Sequence, residues 1–156
     1  MTRPGGCRPR GARALGGVAG HAGLFSTARD LARWCRMLLA GGALDGTRIL
    51  RAQSVARMLQ PSWLPDGSGG RALGLDVDSV YSSPRGDIFP RGRSLGHSGF
   101  TGLALWFYLA SEVHVIFLSS LLHLHPCPSA SVLLRQVITL VPHAPPAPPE
   151  HPLTRT

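Results

Sequence analysis

The stretch RSLGHSGFTGLALWFYLASEVHVIFLSSLL, Arg93 to Leu122, constrains the fold more than any other part of the chain. From Leu103 onward it is apolar enough to raise a membrane-spanning helix. Glu112 and His114 stand at its centre, however, where ionisable groups are costly in lipid. β-branched and aromatic residues flank Ala110-Ser111-Glu112, which suits two strands and a turn better. We therefore expect strands at about 94–108 and 113–119, paired as an antiparallel hairpin, and no membrane span. The first strand carries His97-Ser98-Gly99 and then a second small pair, Thr101-Gly102. Glycine inside a strand weakens it and marks a place where another backbone or a ligand comes close. The edge at His97–Phe100 is accordingly expected to be an accessible wall.

Helices are legible on both sides of a loop-rich middle. In GGVAGHAGLFSTARDLARWCRMLLAGG, Thr27 with Asp30 three residues on gives a capping-box-like start, with Ser26 as the alternative cap. Leu31, Trp34, Cys35 and Leu38 recur on one face, and Gly41-Gly42 ends the helix. The Leu31, Trp34 and Leu38 face is predicted to be buried. ALDGTRIL follows as a turn and short extended piece. A second helix is predicted over about 52–59, stopped by Pro61, with Arg51 standing where Ser or Asp would cap better. Residues 61–93 are rich in Gly, Pro, Ser and Asp, with one extended candidate at 73–80, and a third helix is predicted near 129–140. No internal repeat is present. Pattern alone gives an α+β domain over residues 15–141, within the reach of a chain of 156 residues. A disordered basic lead-in is expected at 1–14, and a disordered proline-rich tail, PHAPPAPPEHPLTRT, at 142–156.

The formal charge of +8 comes from arginine alone, because the sequence has no lysine; it has no asparagine either. The arginines are scattered and no aromatic-rich basic motif accompanies them, so no nucleic-acid partner is expected. A GC-rich codon bias towards Arg, Gly, Ala and Pro explains them. Cys7, Cys35 and Cys127 lack C-x-x-C spacing and cannot all pair. Cys35, inside a helical pattern, reads as a small core residue rather than a nucleophile. His123 and His125 have only Cys127 close in sequence, and a zinc site would need further ligands, so no metal is expected. MTRPGGCRPRGAR has no apolar h-region and does not read as a secretory signal, which leaves the compartment open.

Three segments, GGVAGHAGLFSTARDLARW, GLDVDSVYSSPRGDIFP and LGHSGFTGLALW, occur in the order and similar spacing found in the serine β-lactamase-related hydrolases. That family includes class C β-lactamases, penicillin-binding-protein-like esterases and D-alanyl-D-alanine peptidases. The resemblance covers about residues 15–125 and implies the C-terminal part of the β-lactamase/transpeptidase-like fold, an antiparallel sheet edge with packed helices. His97-Ser98-Gly99 matches the K-T-G or H-x-G triplet on the strand that walls the family's cleft. By the resemblance, His97 helps proton traffic near the nucleophile, Ser98 contacts substrate and Gly99 leaves room for the substrate backbone. The Phe100 N–H would be one of two oxyanion-hole donors. A ligand would lie along this edge like an added strand. His21 falls at a cleft-lining turn and is a candidate substrate contact, with satisfaction of local backbone groups as the alternative. Tyr81-Ser82-Ser83 resembles the Y-x-N or Y-x-S motif, but follows the capped helix that the motif should precede; Tyr81 reads as a loop aromatic.

The chain also departs from the family. With no lysine it holds no Ser-x-x-Lys, whose lysine helps to deprotonate the serine, and with no asparagine it holds no Tyr-x-Asn. SSLLHLHP stands where a T-N-R-like triplet is common, and LASE replaces the usual Asp-Pro turn. The expectation is a truncated family member, inactive alone, whose missing partner is an N-terminal half. Its complete relatives act on small-molecule or peptide-like substrates through an acyl-enzyme, with no cofactor. A non-catalytic remnant binding peptide or cell-wall-like ligands, and a gene fragment without function, are the alternatives. An incomplete sheet is expected to expose apolar surface.

Overall fold

The computed structural model describes residues 12, 14–17, 19–20, 23–67, 69–79, 82, 85–86, 89–99, 102–120 and 130–140. Expectations for the basic lead-in up to residue 11, for Tyr81, for His123–Cys127 and for the tail lie outside the described residues.

Helix α1, Ala28–Leu39, starts where its local chemistry dictates. Thr27 is extended (φ −109°, ψ 158°) and its Oγ1 accepts the Asp30 N–H at 3.1 Å. The same hydroxyl donates to the Asp30 carboxylate at 2.9 Å, so Thr27 and not Ser26 is the cap. The acidic group also sits favourably at the positive end of the helix dipole. At the other end Gly41 takes φ 62°; its N–H donates to Leu38 O at 3.0 Å and that of Gly42 to Met37 O at 2.8 Å. Those two bonds form a Schellman closure, which needs a left-handed residue at the Gly41 position. A second helix, α2, runs Ala52–Leu59 with no side-chain cap at Arg51.

The buried face of α1 differs from the expected one. Cys35, Met37 and Leu38 are buried and Leu31 is half-buried, but Trp34 keeps 36 % of its surface exposed. Its ring meets Phe107 edge-on at 6.4 Å, so it packs at the margin of the helix–sheet contact rather than inside it.

Two sheets follow. Strands β1, Ala43–Leu44, and β2, Thr47–Arg48, are joined by Asp45 (φ 49°) and Gly46 (φ 79°), the two-residue turn that a D-G pair favours. Among the described residues the main sheet has six antiparallel strands in sequential order: β3, Ser62–Trp63; β4, Gly70–Ala72; β5, Leu75–Asp76; β6, Ser94–Gly99; β7, Leu103–Tyr108; and β8, Val113–Phe117. Two expectations are corrected here. The extended candidate at 73–80 is interrupted by a tight turn at Leu73-Gly74, with Gly74 at φ 76°, so that β4 and β5 form a hairpin. Residues 94–108 are two strands: Gly99 pairs with Leu103, and Gly102 (φ 89°) donates its N–H to Gly99 O at 3.0 Å. The expected hairpin across LASE is present as β7–β8.

Side-chain alternation along β7 builds two cores at once. Phe107 joins Leu95, Leu75, Val77, Cys35, Leu38, Val55 and Leu59 between the sheet and helices α1 and α2. Ala104 and Trp106 point the other way, to Phe89 and to Leu134 and Ile138 of helix α3, Ala130–Thr139. The sheet thus lies between α1 and α2 on one face and α3 on the other, an α+β arrangement. Among the described residues no helix is long and apolar enough to cross a membrane.

Candidate active site

Strand β6 emerges from the core part-way along its length. Ser94, Leu95 and Gly96 are buried, His97 is exposed, Ser98 half-buried and Gly99 exposed. The two glycines have different reasons to be there. A Cβ on Gly96 would overlap the Leu105 carbonyl oxygen and the Trp106 indole, so this glycine makes room for the protein's own tryptophan. The nearest atoms a Cβ on Gly99 would meet belong to the Leu103 side chain, the first at 3.3 Å. Gly96 is also the last β6 residue paired with β5, opposite Asp76. From His97 to Gly99 the strand is paired with β7 alone, leaving the opposite backbone edge without a strand partner among the described residues.

Two polar contacts fix the His97 ring. Nδ1 lies 2.8 Å from Ser98 O, and Nε2 lies 3.3 Å from Nη2 of Arg71 on β4. A carbonyl oxygen can only accept and a guanidinium can only donate. Both contacts are therefore met by the neutral ring with its proton on Nδ1, with Arg71 donating to Nε2. In this state the lone pair that a general base would use is already engaged.

Behind Arg71 lies Asp76, only 2 % exposed. Its Oδ2 accepts the hydroxyls of Ser79 at 2.8 Å and Ser82 at 2.9 Å. Its Oδ1 has no hydrogen-bond partner among the described residues, and the Arg71 Nε stands 3.9 Å away, an ion pair beyond hydrogen-bond reach. Sequence reading missed both residues. Arg71 is 26 positions from His97, and only the Leu73-Gly74 turn, recognised as a turn, would have folded β4 back towards β6.

Of the residues singled out from sequence, His97, Ser98 and Gly99 lie together on β6, while Phe100 and His21 lie outside the described residues. Cys35 is fully buried and burial pushes its thiol up to about 12, which suits a core residue and not a nucleophile. Among the described residues no group of three His, Cys, Asp or Glu side chains could hold a metal ion.

Comparison with known proteins gives consistent results. The family model described as Beta-lactamase matches residues 2–136. A protein of Escherichia coli (strain K12) named "Putative D-alanyl-D-alanine carboxypeptidase" is 30% identical over 110 residues, covering 70% of this chain and 25% of that protein. Proteins of the same name from Salmonella paratyphi B and Salmonella newport are each 31% identical over 90 residues, 56% of this chain and 20% of theirs. The matched part of the chain thus spans a quarter or less of these relatives.

Proposed function

This chain belongs to the beta-lactamase family, and we propose that it carries one wall of an acyl-transfer cleft, the nucleophile coming from outside these 156 residues. The observation that carries the reading is the state of β6 from His97 to Gly99: exposed or half-buried, and paired on one side alone among the described residues. An extended peptide could add there by backbone hydrogen bonds, with Ser98 contacting it and Gly99 giving it clearance. His97 would assist proton transfer once Arg71 released Nε2, and the Phe100 N–H would stabilise the oxyanion. The name of the relatives suggests a substrate ending in D-alanyl-D-alanine. A serine oxygen would bond the carbonyl carbon, the amine would leave carrying a proton, and water would then release the acid from the serine ester. The sequence has no lysine, hence no Ser-x-x-Lys, so the chain by itself is expected to be inactive.

Reconstitution tests this. Co-expression with the serine–lysine portion of a family relative should restore peptidase or esterase turnover. His97→Ala should then lower kcat by at least about tenfold, the scale of a lost proton-transfer helper, with thermal stability unchanged. An active complex indifferent to His97→Ala would refute the role. Ligand binding without turnover is a second reading, favoured by the Arg71 donor already occupying Nε2; peptide binding by a reconstituted but inactive complex would select it.

A further inference from the structure

Next to the β6 edge, and sharing Arg71 with it, a groove of about 1060 Å³ opens between α2 and the β3–β4 hairpin, lined among others by Gln53, Arg57, Gln60, Ser62, Trp63 and Arg71. Among the described residues its lining carries two guanidinium groups, two amides and a hydroxyl, and no acidic residue. The Arg57 guanidinium makes no hydrogen bond or ion pair with any described residue. Arg71 is half-exposed and its nearest carboxylate, Asp76, stays at 3.9 Å with Oδ2 already taken by two seryl hydroxyls. The hydrogen-bond partner of its Nη2 is the neutral Nε2 of His97. A guanidinium bonds an oxyanion about twice as strongly as a neutral acceptor, and in a bidentate fork.

We propose that this groove is a binding site for an oxyanion-bearing ligand, a carboxylate or a phosphate, held between Arg57 and Arg71, and that its occupancy withdraws Arg71 from His97. The amides of Gln53 and Gln60 and the Ser62 hydroxyl supply the remaining donors. Binding would free the His97 lone pair, so the groove and the β6 edge would be coupled through one side chain. The site does not depend on the acyl-transfer reading, because neither arginine is needed to bond a substrate carbonyl.

The test follows the histidine ring. The full chain, uniformly labelled with ¹⁵N, is titrated at fixed ionic strength by exchanging chloride for inorganic phosphate, and separately for citrate. A saturable change at the His97 Nε2 resonance is expected with at least one of the two, accompanied by shifts of the Gln53 and Gln60 side-chain amides. Saturation by phosphate alone or citrate alone assigns the ligand class. Arg57→Gln should weaken binding roughly tenfold, the loss expected for one charge-assisted contact. Arg71→Gln should abolish the His97 response. Arg33→Gln, on the exposed side of α1 and outside the groove lining, should leave binding unchanged. Linear, unsaturating shifts with both anions would overturn the proposal. So would equal weakening by Arg33→Gln and Arg57→Gln, which would mean diffuse attraction to a chain of net charge +8. Arg57 lies on an exposed helix face, so that variant decides the matter even if Arg71→Gln perturbs folding.

Discussion

A methyl group added to Gly96 has nowhere to go, because the Leu105 carbonyl and the Trp106 ring occupy the space it needs. Overpacking of this kind against backbone and a fully buried indole costs about 2–3 kcal/mol, so Gly96→Ala should lower the denaturation midpoint sharply. Gly99→Ala meets one movable leucine side chain and should cost under about 1 kcal/mol. Chemical denaturation of the two variants side by side distinguishes a glycine needed for packing from one that leaves an edge open. Cys35 yields a pH-dependent prediction. Its folded-state thiol is raised from 9.0 to about 12 by burial, so above pH 9 the unfolded chain loses a proton that the folded chain keeps. The thiol's contribution to stability is therefore fully present below pH 9 and is lost progressively as the pH rises towards about 12. Relative to Cys35→Ala, which has no titrating thiol, wild type should lose its advantage over that window; parallel stability curves would contradict the burial. A glycine in a strand announces a close approach, and that much was legible in the sequence. What approaches was not, because Trp106 faces Gly96 through a register that only the folded β6–β7 pair defines.

The elements read best from sequence are those whose ends are set by neighbouring residues. Thr27 and Asp30, then Gly41 and Gly42, bound α1 by contacts within three to five positions, and the expected limits are the observed ones. Thr27→Ala should remove the Asp30 N–H acceptor and cost about 1 kcal/mol. Ser26→Ala should change little, since the Ser26 hydroxyl makes only a 3.5 Å contact with the Thr27 carbonyl. Urea melts of both variants check the cap assignment. Strands β3, β4 and β5 were not read individually because two or three residues carry no measurable alternation. Merging β6 with β7 had a different cause: the residues on both sides of the turn favour strands, and the chain reverses direction between Gly99 and Leu103, where Gly102 takes φ 89°. The candidate site inherits that pattern. Its β6 residues were found from a local triplet, and Arg71 and Asp76 were missed because hairpins assemble them.

At the scale of the molecule, the sheet and helices leave large apolar residues in solvent. Leu24 is 87 % exposed and Leu140 82 %, and α3 presents Val132 and Leu133 outward while burying Leu134 and Ile138 on its other side. A helix apolar on both sides suits burial within a larger body, and the chain matches a quarter or less of its relatives' length. These features fit the proposal that the cleft wall formed by His97, Ser98 and Gly99 requires a serine and lysine from another segment. Intact-mass analysis of the purified chain after exposure to a serine-reactive fluorophosphonate and, separately, to a β-lactam tests this most directly. The expected result is an unchanged mass with both reagents, and no burst of product. Stoichiometric acylation of a single serine, Ser26 and Ser98 being the first sites to map, would contradict it.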